Sequence, residues 1–447
     1  MNNLKAGFGR VNINPPMGIS VRGYYIPRFA EGILDDLEIN ALALQCGDIK
    51  TLLISIDNSA VEQVLCSEYR KGASEATGIP MENIIIAETH THTGPLLVIN
   101  SEDELIETYK DFVASRIKDV AKFAVDDLKD AKMGFGHGVA PNVAFVRRYV
   151  MKDGSIKTNP GVNNPDIVRP VGEADEGVSV IRFDRKGADS IVFVNFANHP
   201  DVVGGCKISA DWPGLLRANV EKILDNTKCI FFNGTQGDVN HVNVHPQGGD
   251  LNGMVIDFDG VSRGYSHAQY IARVITGGVL QAFDKVEYVD VDTIKVAQKV
   301  INVPSNRPDP KDLPEAHRIN DLYNAGKESE LPYEGMMLTT IVAEAQRMVR
   351  LENGPDAFDM TLSAMAIGPV AIIGMPGEPF AGVGVALKAT EGYKMVVPCC
   401  LANGAEGYFP MQDSYDEGGY EAKSSKFKAG VAEYILEQSK ELLGSIK

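Results

Sequence analysis

The chain has 447 residues, 44% of them apolar and 23% charged, and a formal net charge of −17. A chain this long buries a large core without disulfides, and its acidity argues against nucleic acid and anionic membrane surfaces, which both reward a basic footprint. The opening MNNLKAGFGRVNINPP lacks the apolar run of a secretory signal, and no stretch approaches the ~18 consecutive apolar residues of a membrane span. The six cysteines include no CxxC pair. Together these features lead to the expectation of a cytoplasmic protein with reduced thiols.

In chain order, TLLISID (51–57) predicts a buried strand and VEQVLCSEYRKGASEATG (61–78) a helix ending at Gly78. NIIIAET is the next strand. Ser101-Glu102-Asp103-Glu104 then opens an amphipathic helix running to about Leu128, with a serine cap and acids in its first turn. Asp153-Gly154 predicts a hairpin turn. SIVFVNFA (190–197) and KCIFFNG (228–234) read as strands. The helix between them, ADWPGLLRANVEKILDN, has Asp211 as its expected cap and Pro213 in its first turn. SRGYSHAQYIARVITGGVLQAF (262–283), HRINDLYNA and TTIVAEAQRMVRLEN have helical spacing, and AMAIGPVAIIGMPG (364–377) predicts a hairpin turning at Gly368-Pro369. The alternation predicts an α/β or α+β fold, with a mixed β-sheet core and flanking helices in one large domain over 1–447.

Several of these strands run into short Gly/Pro-rich polar clusters: NIIIAE into THTHTGP, SIVFVNFA into NHPDVVGG, KCIFFNG into TQGDVNH, and VAIIG into MPGEPFAG. Functional groups gather on loops at the carboxyl ends of strands, so His90, His92, His199, Asp238 and Glu378 are expected to meet in one cleft. In an extended chain His90 and His92 would face the same side, which suggests a metal site, or one ligand beside one proton-transfer group. Each residue also has a plainer reading. His199 could be a satisfied loop histidine, Glu378 an acid at a helix start and Asp238 a turn or capping residue. His241 and His245, in VNHVNVHP, could hold a second metal, lie at the surface or contact the substrate.

THTHTGP, NFANHP, GDVN, MPGEP and NGAEGYFPMQDSYDEGGYEA, in that order over almost the whole chain, resemble the catalytic domain of the neutral/alkaline ceramidase family. The resemblance implies one zinc ion held by His90, His199, Glu378 and Tyr408. It implies that Tyr420 bonds the substrate carbonyl and that Arg147, or its neighbour Arg148, lies near the substrate. His92 would act as a base or oxyanion donor beside the metal. Zinc would lower the pKa of its water towards ~7, for direct attack on the carbonyl. Where the family carries a serine after GDV, this chain has Asn240, a poor nucleophile. With neither the family's C-terminal β-sandwich nor its secretion signal in this sequence, the expectation is a ceramidase-like member rather than a true ceramidase. The expected activity is zinc-dependent hydrolysis of an amide, or of an ester or lactone, in a soluble polar small molecule. The alternatives are a ceramidase acting on N-acylsphingosine, a TIM-barrel amidohydrolase with HxH on its first barrel strand, and a non-catalytic metal- or sugar-binding protein. The oligomeric state has no signature in the sequence.

Overall fold

The computed structural model describes residues 4–447; the first three residues of the expected domain lie outside that range. Among the described residues a nine-stranded mixed sheet follows the order Thr227–Asn233, Ser190–Phe196, Gly177–Arg185, Lys129–Val139, Leu4–Asn12, Glu38–Cys46, Ile49–Ile56, Ile84–Glu88, with Glu287–Val289 added beside Lys129–Val139. A second sheet of four strands runs Ile294–Pro304, Ala357–Ile367, Val370–Gly374, Met395–Cys399. The fold is therefore mixed α/β. An open, largely antiparallel sheet replaces the eight parallel strands that a TIM barrel requires, which removes the amidohydrolase-barrel alternative.

Side chains alternate across a strand, and here both faces of the large sheet are covered. Leu42, Leu44, Ile85, Ile191 and Phe193 pack against Met365, Ile367, Ile372 and Val397 of the small sheet. Their neighbours Ala41, Ala43, Ile84 and Ile86 face the helices Gln63–Thr77 and Glu104–Asp126. At the other end of the sheet Val192, Val194 and Phe196 face Asp211–Ile223 and Tyr265–Phe283. The outer face of the small sheet packs on Ala381–Lys388 and Val431–Ser445. The order of layers is helices, large sheet, small sheet, helices. Burial on both faces explains why these strands read as unbroken apolar runs.

Three parallel strand pairs, each joined through a helix, build the site. Ile49–Ile56 pairs with Ile84–Glu88, Ser190–Phe196 with Thr227–Asn233, and Val370–Gly374 with Met395–Cys399. Two helix caps differ from expectation. Asp103, not Ser101, caps Glu104–Asp126 by accepting from the Leu105 amide at 2.9 Å, while the Ser101 hydroxyl turns back to the Asp103 amide. Asp211 is the first helical residue rather than the cap. It has φ 55°, and its carboxylate takes the Trp212 and Val203 amides at 2.6 and 2.8 Å. No helix among the described residues is long and apolar enough to cross a membrane.

Candidate metal centre

The strand Ile84–Glu88 ends before the histidine motif, so His90 and His92 do not meet through strand alternation. His90 sits instead in the left-handed region, at φ 75°, a conformation that a non-glycine residue holds only when its surroundings fix it. Its amide donates to Asn58 O at 2.9 Å and that of His92 to Pro200 O at 3.0 Å. The turn brings the two rings to 4.8 Å between centroids, nearly perpendicular at 89°. His199, after Ser190–Phe196, lies 5.0 Å from the His90 ring by the same measure. Glu378, after Val370–Gly374, reaches the same point: its Oε2 is 3.2 Å from Nε2 of both His90 and His199.

The imidazole tautomers follow from their other partners. His90 Nδ1 lies 2.6 Å from Ser59 O, and His199 Nδ1 lies 2.8 and 2.9 Å from Gln236 O and Val239 O. Carbonyl oxygens only accept, so each neutral ring carries its proton on Nδ1 and presents a bare Nε2. His199 Nε2 is buried and makes no hydrogen bond. Two lone pairs and a carboxylate oxygen thus converge, an arrangement that repels itself unless a cation or proton lies between. This donor set fits a divalent metal. Among the described residues, the one group of three or more His, Cys, Asp or Glu side chains gathered within metal-ligand reach is His90, His92 and His199. His92 Nε2 stands 3.2 Å from His90 Nε2, so His92 is near enough to bind the metal as well as to pass a proton.

The charges support one another. Burial pulls the His90 imidazole towards its neutral form, but the adjacent Glu378 carboxylate outweighs this and lifts its pKa above the ordinary value. Burial would also neutralise Glu378; the facing His90 and His199 instead hold it well below the usual carboxylate range. His92 lies well below the ordinary histidine value because it is buried and faces His90.

Tyr408 is brought in by a short parallel pairing of Glu378–Pro379 with Tyr408–Phe409, in which Glu378 is its register partner. Its ring lies 6.4 Å from that of His199 and 5.6 Å from that of Tyr420. Arg147 stands over both tyrosines, its guanidinium 5.5 Å from Tyr408 and 5.9 Å from Tyr420, and it is anchored by Glu421 at 2.6 Å and Gly237 O at 2.9 Å. Arg148 turns the other way, to Ser414 and Glu417. Asp238 accepts from the Ala381 amide at 2.8 Å, where it closes the start of the helix Ala381–Lys388. Asn240 donates to Asn159 Oδ1 at 3.0 Å and accepts from the Val242 amide at 3.0 Å. His241 has both nitrogens engaged, Nδ1 by Asp201 at 3.1 Å and Nε2 by Ser262 O at 2.8 Å, and His245 is exposed. Among the described residues neither belongs to a group of side chains gathered within metal-ligand reach.

Several residues that hold the centre carry no motif. Asn233 ties three strand ends together: its Nδ2 donates to Thr89 O and Asn198 O, and its carbonyl accepts from Cys400 N. Arg28 donates to His92 O at 2.6 Å and stacks on Tyr24, whose ring meets that of His92 edge-on at 5.3 Å. Gly237 touches the backbone of the glutamate strand. A Cβ there would stand 2.4 Å from Glu378 O and 2.9 Å from Pro379 O. Gly237→Ala is therefore expected to push the GDVN loop off Glu378 and to lower stability by about 1–3 kcal/mol, seen as a reduced denaturant midpoint at unchanged m-value.

Neither a protein-family model nor a curated protein matches the sequence. The fold does have similar solved structures. The crystal structure of neutral ceramidase from Pseudomonas aeruginosa superposes with a TM-score of 0.73 at 16% identity, covering 99% of this chain and 74% of that one. A ceramidase complexed with C2 gives a TM-score of 0.72 at 16% identity, covering 100% of this chain and 76% of that one. This chain has a ceramidase-like fold, with a group of buried side chains at the carboxyl ends of its strands that can hold a metal ion.

Proposed function

We propose that the protein is a zinc-dependent hydrolase that cleaves an amide bond in a soluble small molecule, with His90, His199, Glu378 and Tyr408 as the metal ligands. One observation carries the reading: two bare histidine Nε2 atoms face a single carboxylate oxygen, each at 3.2 Å. Zinc held there would polarise a carbonyl and activate water, a chemistry that serves esters and lactones as well as amides.

The surrounding side chains have separate tasks. His92 is neutral and its Nδ1 is buried without a partner, so the ring can accept a proton and pass it to the leaving amine. Tyr420 is held protonated, first by burial and then by its tyrosine neighbours, which suits it to donate a hydrogen bond to developing charge on the carbonyl oxygen. Arg147 fixes both tyrosines and places a positive charge behind them. Asn240 is occupied by Asn159 and the Val242 amide and offers no nucleophile, so water attacks directly and no acyl-enzyme forms.

The test is amine release from a panel of N-acyl amino sugars, N-acyl amino acids, hydroxy-acid amides and sugar lactones by the zinc-loaded protein, alongside detergent-dispersed ceramides. Turnover of a soluble amide is expected, with ceramides poor. No hydrolysis anywhere on the panel would leave the metal- or sugar-binding alternative standing. An acylated side chain trapped during a single turnover would overturn direct attack by water.

A further inference from the structure

Two cavities flank the candidate metal centre and share the walls Arg22 and Tyr25. One, of about 540 Å³, reaches Tyr408 and Tyr420 and is lined by three cations, Arg22, Arg350 and Lys426. The other, of about 660 Å³, runs past Gly23 and Tyr24 beside His92 and is walled by apolar and aromatic side chains, among them Ile26, Leu96, Phe258 and Leu338. Both volumes are in the range of small-molecule sites.

The cations are not equivalent. Lys426 is already paired with Glu406 and lies 4.4 Å over the Phe358 ring. Arg22 and Arg350 make no ion pair among the described residues. Arg22 Nη1 is buried with no hydrogen-bond partner. Glu62, which lines the same cavity, and the more distant Glu88 and Glu378 act on Arg22 through their charge, but none of them pairs with it. Glu88 is buried, and neither of its carboxylate oxygens pairs with Arg22. A buried guanidinium edge left without an acceptor is costly to maintain, and a carboxylate is the planar acceptor that matches it.

From the unpartnered Arg22 and Arg350 beside Tyr408, and the aromatic cavity on the far side of Arg22, we infer that the substrate is an N-acyl amino acid. Its carboxylate sits on the two arginines and its acyl chain in the aromatic cavity. The inference rests on the hydrolase reading above and adds to it the class of substrate. In the reaction one water is consumed and the C–N bond breaks. The water oxygen stays on the acyl carbon as a fatty carboxylate, and the amino acid leaves with the proton on its nitrogen.

The test separates recognition from turnover. Binding is measured by calorimetry on the zinc-loaded protein with the ketomethylene analogue of N-hexanoylglycine, in which CH2 replaces the amide NH, and with the carboxamide of that analogue. The wild type is expected to bind the carboxylate at least about tenfold more tightly than the carboxamide. In Arg22→Gln and in Arg350→Gln that ratio should fall towards one. Arg350 is exposed, so its variant keeps the test valid if Arg22→Gln fails to fold. Equal affinity of the two compounds for the wild type, failure of both to bind, or a preference that survives both substitutions, as carboxylate binding to the metal itself would give, overturns the inference. Hydrolysis of N-hexanoylglycine and its carboxamide is followed separately. A retained preference without hydrolysis would sink the hydrolase reading and leave the anion site; equal hydrolysis of both without preference would do the reverse.

Discussion

His199→Ala and Glu378→Ala are each expected to reduce zinc from about one ion per chain to a trace after dialysis against a mild chelator. Changing a residue that only orients a ligand typically costs about 10–100-fold in metal affinity, so removing a direct ligand should cost more than ~100-fold. The controls decide the ligand set. His241→Ala should keep its zinc, because both of its nitrogens are engaged elsewhere. His92→Ala distinguishes a set of His90, His199, Glu378 and Tyr408 from one in which His92 binds directly: a loss within about 10–100-fold supports the first, and a loss as deep as that of His199→Ala supports the second. Unchanged zinc in both His199→Ala and Glu378→Ala would remove the assignment. The pH dependence has a definite sign. The ligands bind zinc deprotonated, and Glu378 lifts the pKa of His90, so affinity should begin to fall while the pH is still above ~6.5 and continue falling as it drops.

Much of the site was legible because it lies on regular elements. Strand runs such as NIIIAE and SIVFVNF are covered on both faces and so read as continuous apolar segments; the polar cluster after each run necessarily lies at a strand end. His90, His199 and Glu378 converge because three parallel pairs deliver their carboxyl ends to one place. The histidine pair forms for a different reason from the one its spacing suggests. Alternation in an extended chain would have sufficed, but the pair is made by a left-handed turn at His90 that is fixed by Asn58, Ser59 and Pro200. Residues from remote segments were illegible. Arg22, Tyr24 and Tyr25 lie in the stretch VRGYYIP, which carries no catalytic pattern, and they enter the site only because residues 20–27 fold over His92. The second cavity was missed for the same reason: its aromatic and aliphatic lining comes from that stretch, from Phe258 and from the helix pair Leu313–Asn324 and Gly335–Leu351.

Glu421 is the residue of this kind with the largest expected effect. It comes directly after Tyr420 and looks like an ordinary helical acid in GGYEAK, yet it is fully buried, with Oε1 2.6 Å from Arg147 Nε and Oε2 3.0 Å from Thr158 Oγ1. Arg147 is also buried, and its guanidinium donates to the Gly237 carbonyl at 2.9 Å and stands over the two tyrosine rings. Glu421→Ala would leave that guanidinium in the interior without its countercharge. Removing one partner of a buried pair costs about 3–5 kcal/mol, because the survivor stays desolvated with no opposite charge to offset it. Glu421→Gln keeps the shape and an acceptor oxygen, so its loss should be smaller, about 1–3 kcal/mol. The double variant Arg147→Met, Glu421→Leu removes both charges and should recover much of the stability lost in Glu421→Ala. Denaturant midpoints of these variants and the wild type measure this, with the coupling read from the double-mutant cycle that the single Arg147→Met and the single Glu421→Leu complete. Activity should separate from stability in the same set. The double variant regains its fold but has no cation behind Tyr408 and Tyr420, so its turnover should stay low. If the restored fold also restored turnover, Arg147 would be a structural residue and the tyrosine pair would not depend on it.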